Sequence, residues 1–385
     1  MFSRDNLWKA SFRRIFWTLA LLVFCLLLIP LVRELFFERI GRWLYILLFA
    51  ASTAALITPI MMAFAVRIGI VDTPGGRKIH AEVTPLLGGV AIIISFISAF
   101  LANMILDPRD VALIAGGTVV AVVVLIDDWK NIPARYKIFI QVFVVILLIR
   151  SGIILDLFPP HTTWGYLLNA AFSIIWIVGL TNAMNFIDGM DGLATGLSAI
   201  ISLFLGLVAF QTDQPFMGWI AVAMLGSCLG FLPFNFSQHK PALIFLGDAG
   251  STFFGFILSA LAIKASWADN NPIVSFATPV LIFWVLIFDM AYITLERIIT
   301  GKVKSFHDWI AYVGTDHIHH RLLAIFGDRR KVVFFIFLLC ATLGISAITL
   351  RGASTSDGIL TVVQAFLITV IVSILEYSGR NHTQQ

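Results

Sequence analysis

The chain is poor in charged residues. Only 12% of its 385 residues are Asp, Glu, Lys or Arg, whereas 59% are hydrophobic. A soluble globular domain has about 25% charged residues and is about half apolar, so this composition excludes an ordinary soluble protein. The sequence also lacks a polar or low-complexity tract long enough to form a separate soluble domain. We therefore expect an integral membrane protein.

Cysteine is scarce as well. The three cysteines, Cys25, Cys228 and Cys340, are far apart, and each lies inside an apolar segment. Such spacing provides neither a disulfide framework nor a thiolate metal site. We expect all three to be small buried side chains.

Long apolar stretches dominate the sequence. A membrane span needs about 20 mostly apolar residues, and lipid favours segments that satisfy their own backbone hydrogen bonds. The pattern predicts an all-α, polytopic membrane helix bundle of about 11–12 transmembrane helices, with no lipid-facing strands. The candidate spans are 15–32, 43–66, 86–104, 110–126, 136–151, 163–182, 194–210, 217–234, 250–265, 273–295, 332–349 and 358–376.

Positive charge orients this bundle. If Met1 is cytoplasmic, most of the 26 Lys and Arg residues lie in connections on the cytoplasmic side, as the positive-inside rule requires. We expect a core transmembrane domain at 43–376, an N-terminal segment with an extra helix at 1–42, and a cytoplasmic tail at 377–385. Membrane topology and contact with membrane lipid explain the basic charge, and nothing indicates binding to nucleic acid.

Four polar patches interrupt the apolar pattern, each at the edge of a span. Two candidate spans separate each patch from the next, so all four should emerge on the cytoplasmic face. Carboxylates, an amide and imidazoles on one face suit a metal-assisted reaction on a phosphate compound. The patches are Asp127-Asp128, Asn185/Asp188/Asp191, Asp248, and His317/His319/His320.

The first two patches are rich in carboxylates. Asp127 and Asp128 repel each other unless they share a cation, which favours Mg²⁺; an exposed acidic helix end is the alternative. Asn185, Asp188 and Asp191 are spaced by three residues and share one face of any helical turn. Helix capping could explain one of these residues but not the whole set.

The other two patches complete the candidate site. Asp248 directly precedes a span, where it could bind Mg²⁺ or cap a helix. Phe245 could stack on a base or belong to the core. His317, His319 and His320 could bind a transition metal, but no thiolate is available and the other candidate ligands are hard oxygens. Contact with a polyphosphate therefore suits the histidines better.

The order of these strings resembles the polyprenyl-phosphate N-acetylhexosamine-1-phosphate transferase family, also called glycosyltransferase family 4. The resemblance covers about residues 43–376. The histidine string is similar to that of the branch that transfers N-acetylglucosamine 1-phosphate, whereas the peptidoglycan branch usually has three consecutive histidines. The strings that carry the resemblance are Asp72–Gly75, Arg77–His80, Gly88-Gly89, Asp127-Asp128, Asn185–Gly192, Phe245–Asp248 and His317–His320.

The resemblance implies a reaction at the bacterial inner (cytoplasmic) membrane, with the active site facing the cytoplasm. Undecaprenyl phosphate would attack a UDP-N-acetylhexosamine, with N-acetylglucosamine as the expected sugar, and yield undecaprenyl-diphosphate-sugar and UMP. This step would start a lipid-linked cell-envelope glycan such as lipopolysaccharide O-antigen or teichoic acid. Mg²⁺ would be the cofactor, with Mn²⁺ as an alternative, and a homodimer is compatible with the family.

The resemblance also implies roles for individual residues. Asp127, Asp128 and Asp248 would be catalytic and would bind the metal, with Asp127 as a candidate base for the lipid phosphate. The substrate-binding residues would be Lys78, Asn185, Asp188, Asp191, Phe245, His317, His319 and His320. For Lys78, a purely topogenic positive charge remains an alternative.

One departure and one rival function accompany this resemblance. Leu86-Leu87 occupy a position where many family members have a basic residue, which weakens a phosphate role there. The rival is a multi-pass transporter with a cytoplasmic polar site. A transporter should place ionisable groups near the bilayer midplane or contain broken-helix repeats, whereas the acids here lie at span ends.

Overall fold

The computed structural model describes residues 4–73, 83–104, 107–130, 132–237, 241–267, 272–305, 314, 316–350 and 352–383. These residues form a bundle of α-helices, which confirms the predicted fold class. The helices are α1 (Arg4–Leu27), α2 (Pro30–Leu35), α3 (Arg42–Ile68), α4 (Gly88–Ala102), α5 (Pro108–Lys130), α6 (Ala134–Arg150), α7 (Thr163–Ile187), α8 (Leu193–Gln211), α9 (Pro215–Asn235), α10 (Asp248–Lys264), α11 (Pro272–Ile282), α12 (Trp284–Ile299), α13 (Ile318–Phe326), α14 (Arg329–Ile348) and α15 (Thr355–Thr383).

Among the described helices, seven are long and apolar enough to cross a membrane, or up to nine if each of two bent pairs is one span. The first bent pair is α1 with α2 and a π-helical turn at Phe36–Ile40, at 84°. The second pair is α11 with α12, at 80°. The sequence predicted one continuous span at 273–295; instead the helix breaks at Phe283. Pro279 lies inside α11, and its ring removes a helical hydrogen bond shortly before the break.

Helix α10 lies at the centre of the bundle. All its residues from Ala249 to Ile263 are buried, and it packs against α4, α5 and α7. At its first turn the chain approaches α4 closely: a Cβ built on Gly89 would overlap the Cα of Gly250 and lie 2.5 Å from its backbone nitrogen. Only glycine permits two helix starts to touch in this way.

A small strand pair, which the sequence analysis did not predict, lies beside this helix contact. β1 (Val71–Asp72) pairs antiparallel with β2 (Thr84–Pro85). The backbone nitrogen of Phe245 then donates to the carbonyl of Pro85 at 2.8 Å. The loop before α10 is thereby attached to the segment before α4. Lys78 lies between the two strands, outside the described residues.

The opposite end of α10 has its own ionic contacts. Lys264, at the end of the helix, pairs with Asp110 at the start of α5 and lies 3.8 Å from Asp107. Asp248 and Lys264 therefore mark opposite ends of a helix about 25 Å long, given a rise of 1.5 Å per residue. This length is close to the thickness of a bilayer core. Since Asp248 is at one end of the helix, the described polar groups around it lie at one end of the bundle.

The first helix packs on α3, and the last helix runs to the end of the described residues. Helix α1 packs on α3, where the Tyr45 hydroxyl donates to the Leu27 carbonyl at 2.9 Å and the Phe24 and Phe49 rings lie 5.5 Å apart. Helix α15 continues to Thr383, so most of the expected tail at 377–385 is helical in the structure.

Candidate active site

Three carboxylates converge where α7 ends and α10 begins. Asp188 is the residue that follows α7, Asp191 lies in the short turn before α8, and Asp248 is the first residue of α10. Burial raises the pKa of Asp188 well above its usual value, and the charges of Asp248 and Asp191 raise it further. The site therefore holds more negative charge than its surroundings neutralise.

Hydrogen bonds hold this carboxylate cluster in place. The Asn185 side chain donates to the Ser251 hydroxyl at 3.0 Å, which joins α7 to α10. The backbone nitrogen of Ala242 donates to Asp191 at 2.9 Å. The string Asn185–Gly192, called the central motif below, and the loop before α10 are separate in the sequence. These hydrogen bonds join them into one polar surface.

The donor set of this surface suits a hard cation. Within the described ranges, no group of three His, Cys, Asp or Glu residues is arranged to enclose a metal ion. Mg²⁺, however, commonly takes only one or two protein carboxylates and completes its shell with water and substrate phosphates. Asp188, Asp191 and Asp248 provide such oxygens and an excess of negative charge. The side chain of Asp128 lies outside the described residues.

Asp127 has separate contacts at the end of α5. Its Oδ2 lies 2.6 Å from Nζ of Lys137, and its other oxygen accepts from the backbone nitrogen of Ile132. The side chain is only 13% exposed, and both of its oxygens are already paired. Sequence reasoning missed Lys137, although it lies in the first turn of the next helix.

Phe245 lies in the loop between α9 and α10, which is hydrogen-bonded to the strand pair. It is half-buried, and its carbonyl accepts from the backbone nitrogen of Gly88 at 3.1 Å. The next carbonyl, of Leu246, accepts from Gly89 at 2.7 Å. The Gly88-Gly89 string and the Phe245–Asp248 string therefore meet through their backbones.

Asp289, on α12, positions the start of the histidine string. Its carboxylate lies 2.8 Å from Nδ1 of His317 and accepts from the backbone nitrogen of Ile318 at 2.7 Å. The ring of His317 lies 5.3 Å from that of Phe186 at the end of α7. Sequence reasoning missed Asp289, although an acid within an apolar run is a functional signal in its own right.

His319 lies against the central motif. A Cβ on Gly189 would overlap Nε2 of His319 and lie 3.1 Å from its Cδ2, so the glycine makes room for the imidazole. Within the described part of the chain, both ring nitrogens of His319 are buried without a hydrogen-bond partner. Burial lowers the pKa of His319 well below its usual value, and His320, His317 and Arg321 lower it further. The imidazole is therefore neutral near pH 7.

Further ion pairs surround the histidines. Arg297 of α12 binds Asp316 through two hydrogen bonds of 2.8 and 2.7 Å. Arg321 lies 3.0 Å from Glu376 of α15, and its guanidinium lies 4.1 Å from the ring centre of Tyr292. The histidine string is thus attached to both α12 and α15.

An apolar cavity of about 570 Å³ lies between α12 and α15. Trp284, Phe288 and Tyr292 line it from α12, and Phe366 and Ile374 line it from α15. Tyr292, one of the residues that line the cavity, also contacts Arg321.

The fold and site define a multi-pass membrane protein with an acid- and histidine-rich site at one end of its helix bundle. Residues 110–266 match the family model described as glycosyl transferase family 4. The chain belongs to this family, that of the polyprenyl-phosphate N-acetylhexosamine-1-phosphate transferases, which confirms the resemblance seen in the motifs.

Similar proteins are found in several bacteria. A probable undecaprenyl-phosphate N-acetylglucosaminyl 1-phosphate transferase of Bacillus subtilis is 34% identical over 322 residues, which cover 82% of this chain and 87% of that protein. A decaprenyl-phosphate N-acetylglucosaminephosphotransferase of Mycobacterium tuberculosis is 31% identical over 324 residues, 74% of this chain and 78% of that one. A phospho-N-acetylmuramoyl-pentapeptide-transferase of Streptococcus equi is 31% identical over 258 residues, 58% of this chain and 75% of that one.

Proposed function

We propose that this protein transfers N-acetylglucosamine 1-phosphate from UDP-N-acetylglucosamine to undecaprenyl phosphate. The products are undecaprenyl-diphosphate-N-acetylglucosamine and UMP. The reaction takes place on the cytoplasmic face of the bacterial inner membrane and starts a lipid-linked cell-envelope glycan. The names of the relatives from Bacillus subtilis and Mycobacterium tuberculosis support this sugar and this class of acceptor.

One observation carries the proposal: the central motif, the start of α10 and the histidine string meet around Gly189. Asp188 and Asp191 lie beside Asp248, and His319 lies against Gly189. A donor with a diphosphate and an anionic acceptor repel each other, so catalysis must chiefly neutralise charge and align the reactants. A compact surface that offers carboxylate oxygens to a cation, with the neutral imidazole of His319 beside them, suits that task.

The carboxylates are the proposed metal site. Asp248 would hold Mg²⁺ together with Asp127 and Asp128, while Asp188 and Asp191 would bind the uridine and sugar side of the donor. When bound, Mg²⁺ would offset the negative charge of the phosphates and the neighbouring carboxylates. Burial is the chief cause of the raised pKa of Asp188, and the charges of Asp248 and Asp191 raise it further; a bound cation would offset those charges.

The other predicted substrate-binding residues would also bind the donor. Asn185 is oriented by Ser251, and Phe245 lies half-buried in the loop beside Asp248, where its ring could stack on uracil. The unpartnered ring nitrogens of His319 would meet the diphosphate, with His317 and His320 beside them. Lys78 would contact a phosphate from the loop between the two strands.

The acceptor would approach from the membrane. The apolar cavity between α12 and α15 suits an isoprenoid chain, because apolar walls bury hydrocarbon without polar contacts. Asp127, paired with Lys137, is the candidate group that aligns or deprotonates the lipid phosphate. A lipid phosphate is already anionic at neutral pH, so a strong base is not required.

The test is an assay of the purified protein with undecaprenyl phosphate, a panel of UDP-sugars, and either Mg²⁺ or EDTA. We expect UMP to be released from UDP-N-acetylglucosamine only when metal and lipid phosphate are both present. Release of UDP would instead show ordinary glycosyl transfer and refute the proposal. No nucleotide from any donor would also refute it and favour the transporter.

A further inference from the structure

Glu376 is an unusual residue for its helix. Only 22% of the apolar window of α15 is buried, and neighbours such as Ile374 and Leu375 are exposed, which in a membrane means exposed to lipid. Glu376 is nevertheless only 4% exposed. Acidic residues in such helices are costly and usually face protein partners with a defined role.

Arg321, which directly follows the histidines, is a partner of Glu376. Nε of Arg321 lies 3.0 Å from Glu376, and Nη1 donates to the backbone carbonyl of Asp316 at 3.1 Å. The same guanidinium lies 4.1 Å from the ring centre of Tyr292 on α12. Arg321 therefore connects α15 and α12 to both ends of the histidine segment, which we define as residues 316–321.

Arg321 is also close to the acid that positions His317. Its Nη2 lies 3.9 Å from Oδ1 of Asp289, whose two oxygens meet His317 and the backbone of Ile318. With Glu376 ionised, Arg321 is shared between two carboxylates. Without that charge, Asp289 is the remaining carboxylate that the described contacts place beside the guanidinium, and the contacts that orient His317 must compete with it.

We infer that Glu376 is a positioning residue: through Arg321 and Asp289 it fixes the histidine segment against Gly189. Glu376 then contributes to the active site without touching the substrate. The expected effect on donor kinetics rests on the proposed function, whereas the expected effect on the position of His319 does not. The two are tested separately.

The kinetic test compares Glu376→Gln with Glu376→Asp and with a matched control on the same helix. Thr369 lies two helical turns earlier and is 1% exposed, and its hydroxyl donates only within α15 in the described contacts. Thr369→Val is the control. We expect Glu376→Gln to lower kcat/KM for the donor by about 10-fold or more, since small misplacements of catalytic groups cost rate steeply. KM for the lipid should not change, and Glu376→Asp should recover part of the loss.

The structural test does not need activity. Diethyl pyrocarbonate modifies accessible neutral imidazoles, and His319 is only 1% exposed. In Glu376→Gln we expect mass spectrometry to show increased modification of His319, with no change in Thr369→Val. If the unmutated protein has no transferase activity but His319 is still modified more in Glu376→Gln than in Thr369→Val, only the proposed function is refuted. Normal modification of His319 and normal donor kinetics in Glu376→Gln would overturn the inference. A drop in Tm with unchanged kcat/KM per folded molecule would overturn it as well.

Discussion

The contact between Gly89 and Gly250 gives the sharpest test of how the site is built. A Cβ in Gly89→Ala would lie 2.5 Å from the backbone nitrogen of Gly250 and 3.1 Å from the carbonyl oxygen of Leu246. These are backbone atoms at the start of a buried helix, so no side-chain rotation can relieve the overlap. The start of α4 must move away from α10.

The size of that movement follows from the distances. Restoring ordinary van der Waals separation requires a shift of about 1 Å, which strains the hydrogen bond from Gly89 to Leu246, now 2.7 Å long. Overpacking of this kind costs about 1–3 kcal/mol. The gain in helix propensity from alanine offsets at most about 1 kcal/mol. Because Asp248 follows this loop directly, a 1 Å displacement should lower turnover by about 10²-fold.

The assay measures Tm and nucleotide release for Gly89→Ala beside a matched control. For Gly179, within α7, no described atom beyond the adjoining backbone of its own helix lies within 4 Å of an added Cβ, so Gly179→Ala should keep full activity and an unchanged or higher Tm. Equal Tm and equal turnover in the two variants would refute the steric reasoning. Loss of activity in both would show that alanine acts through something other than this contact.

Three further predictions concern single side chains. Asp248→Asn or Asp127→Asn should lower turnover by about 10²-fold while expression persists, as expected for loss of a transition-state charge stabiliser; near-normal UMP release by either purified variant would reject its assignment. In EDTA, Asp188→Asn should raise Tm, and the gain should grow with pH. In the folded protein the pKa of Asp188 is raised. The contribution of Asp188 to stability is therefore complete below its ordinary pKa and is lost as pH rises through the raised, folded-state pKa. A pH-independent difference in Tm would contradict this. His319→Ala should raise the donor KM or lower kcat, and unchanged steady-state kinetics would make the histidine structural.

The gathering of the polar motifs on one face could be predicted because it depends on span lengths and their number. Two spans between successive patches return the chain to the same side, whatever the packing between helices. The described positions of Asp188, Asp191, Asp248 and His319 agree with that expectation. The motifs likewise predicted the family, since their order along the chain carries the information.

The ionic partners could not be predicted in the same way. Asp289 meets His317 from α12, which starts after the helix breaks at Phe283 and turns by 80°. Arg321 and Glu376 are 55 residues apart, and nothing local in either segment selects the other. The pairing depends on how α15 packs against α11 and α13.

The sequence alone determined that this is a polytopic membrane protein, which groups face one side, and to which family it belongs. These properties follow from hydrophobic length and from motif order, both of which can be read along the chain. The tertiary structure decided which carboxylate neighbours which, where a glycine makes room for His319, and which acid holds the histidine segment. Those contacts depend on helix bends and side-to-side packing, which are set by the three-dimensional arrangement of the whole bundle.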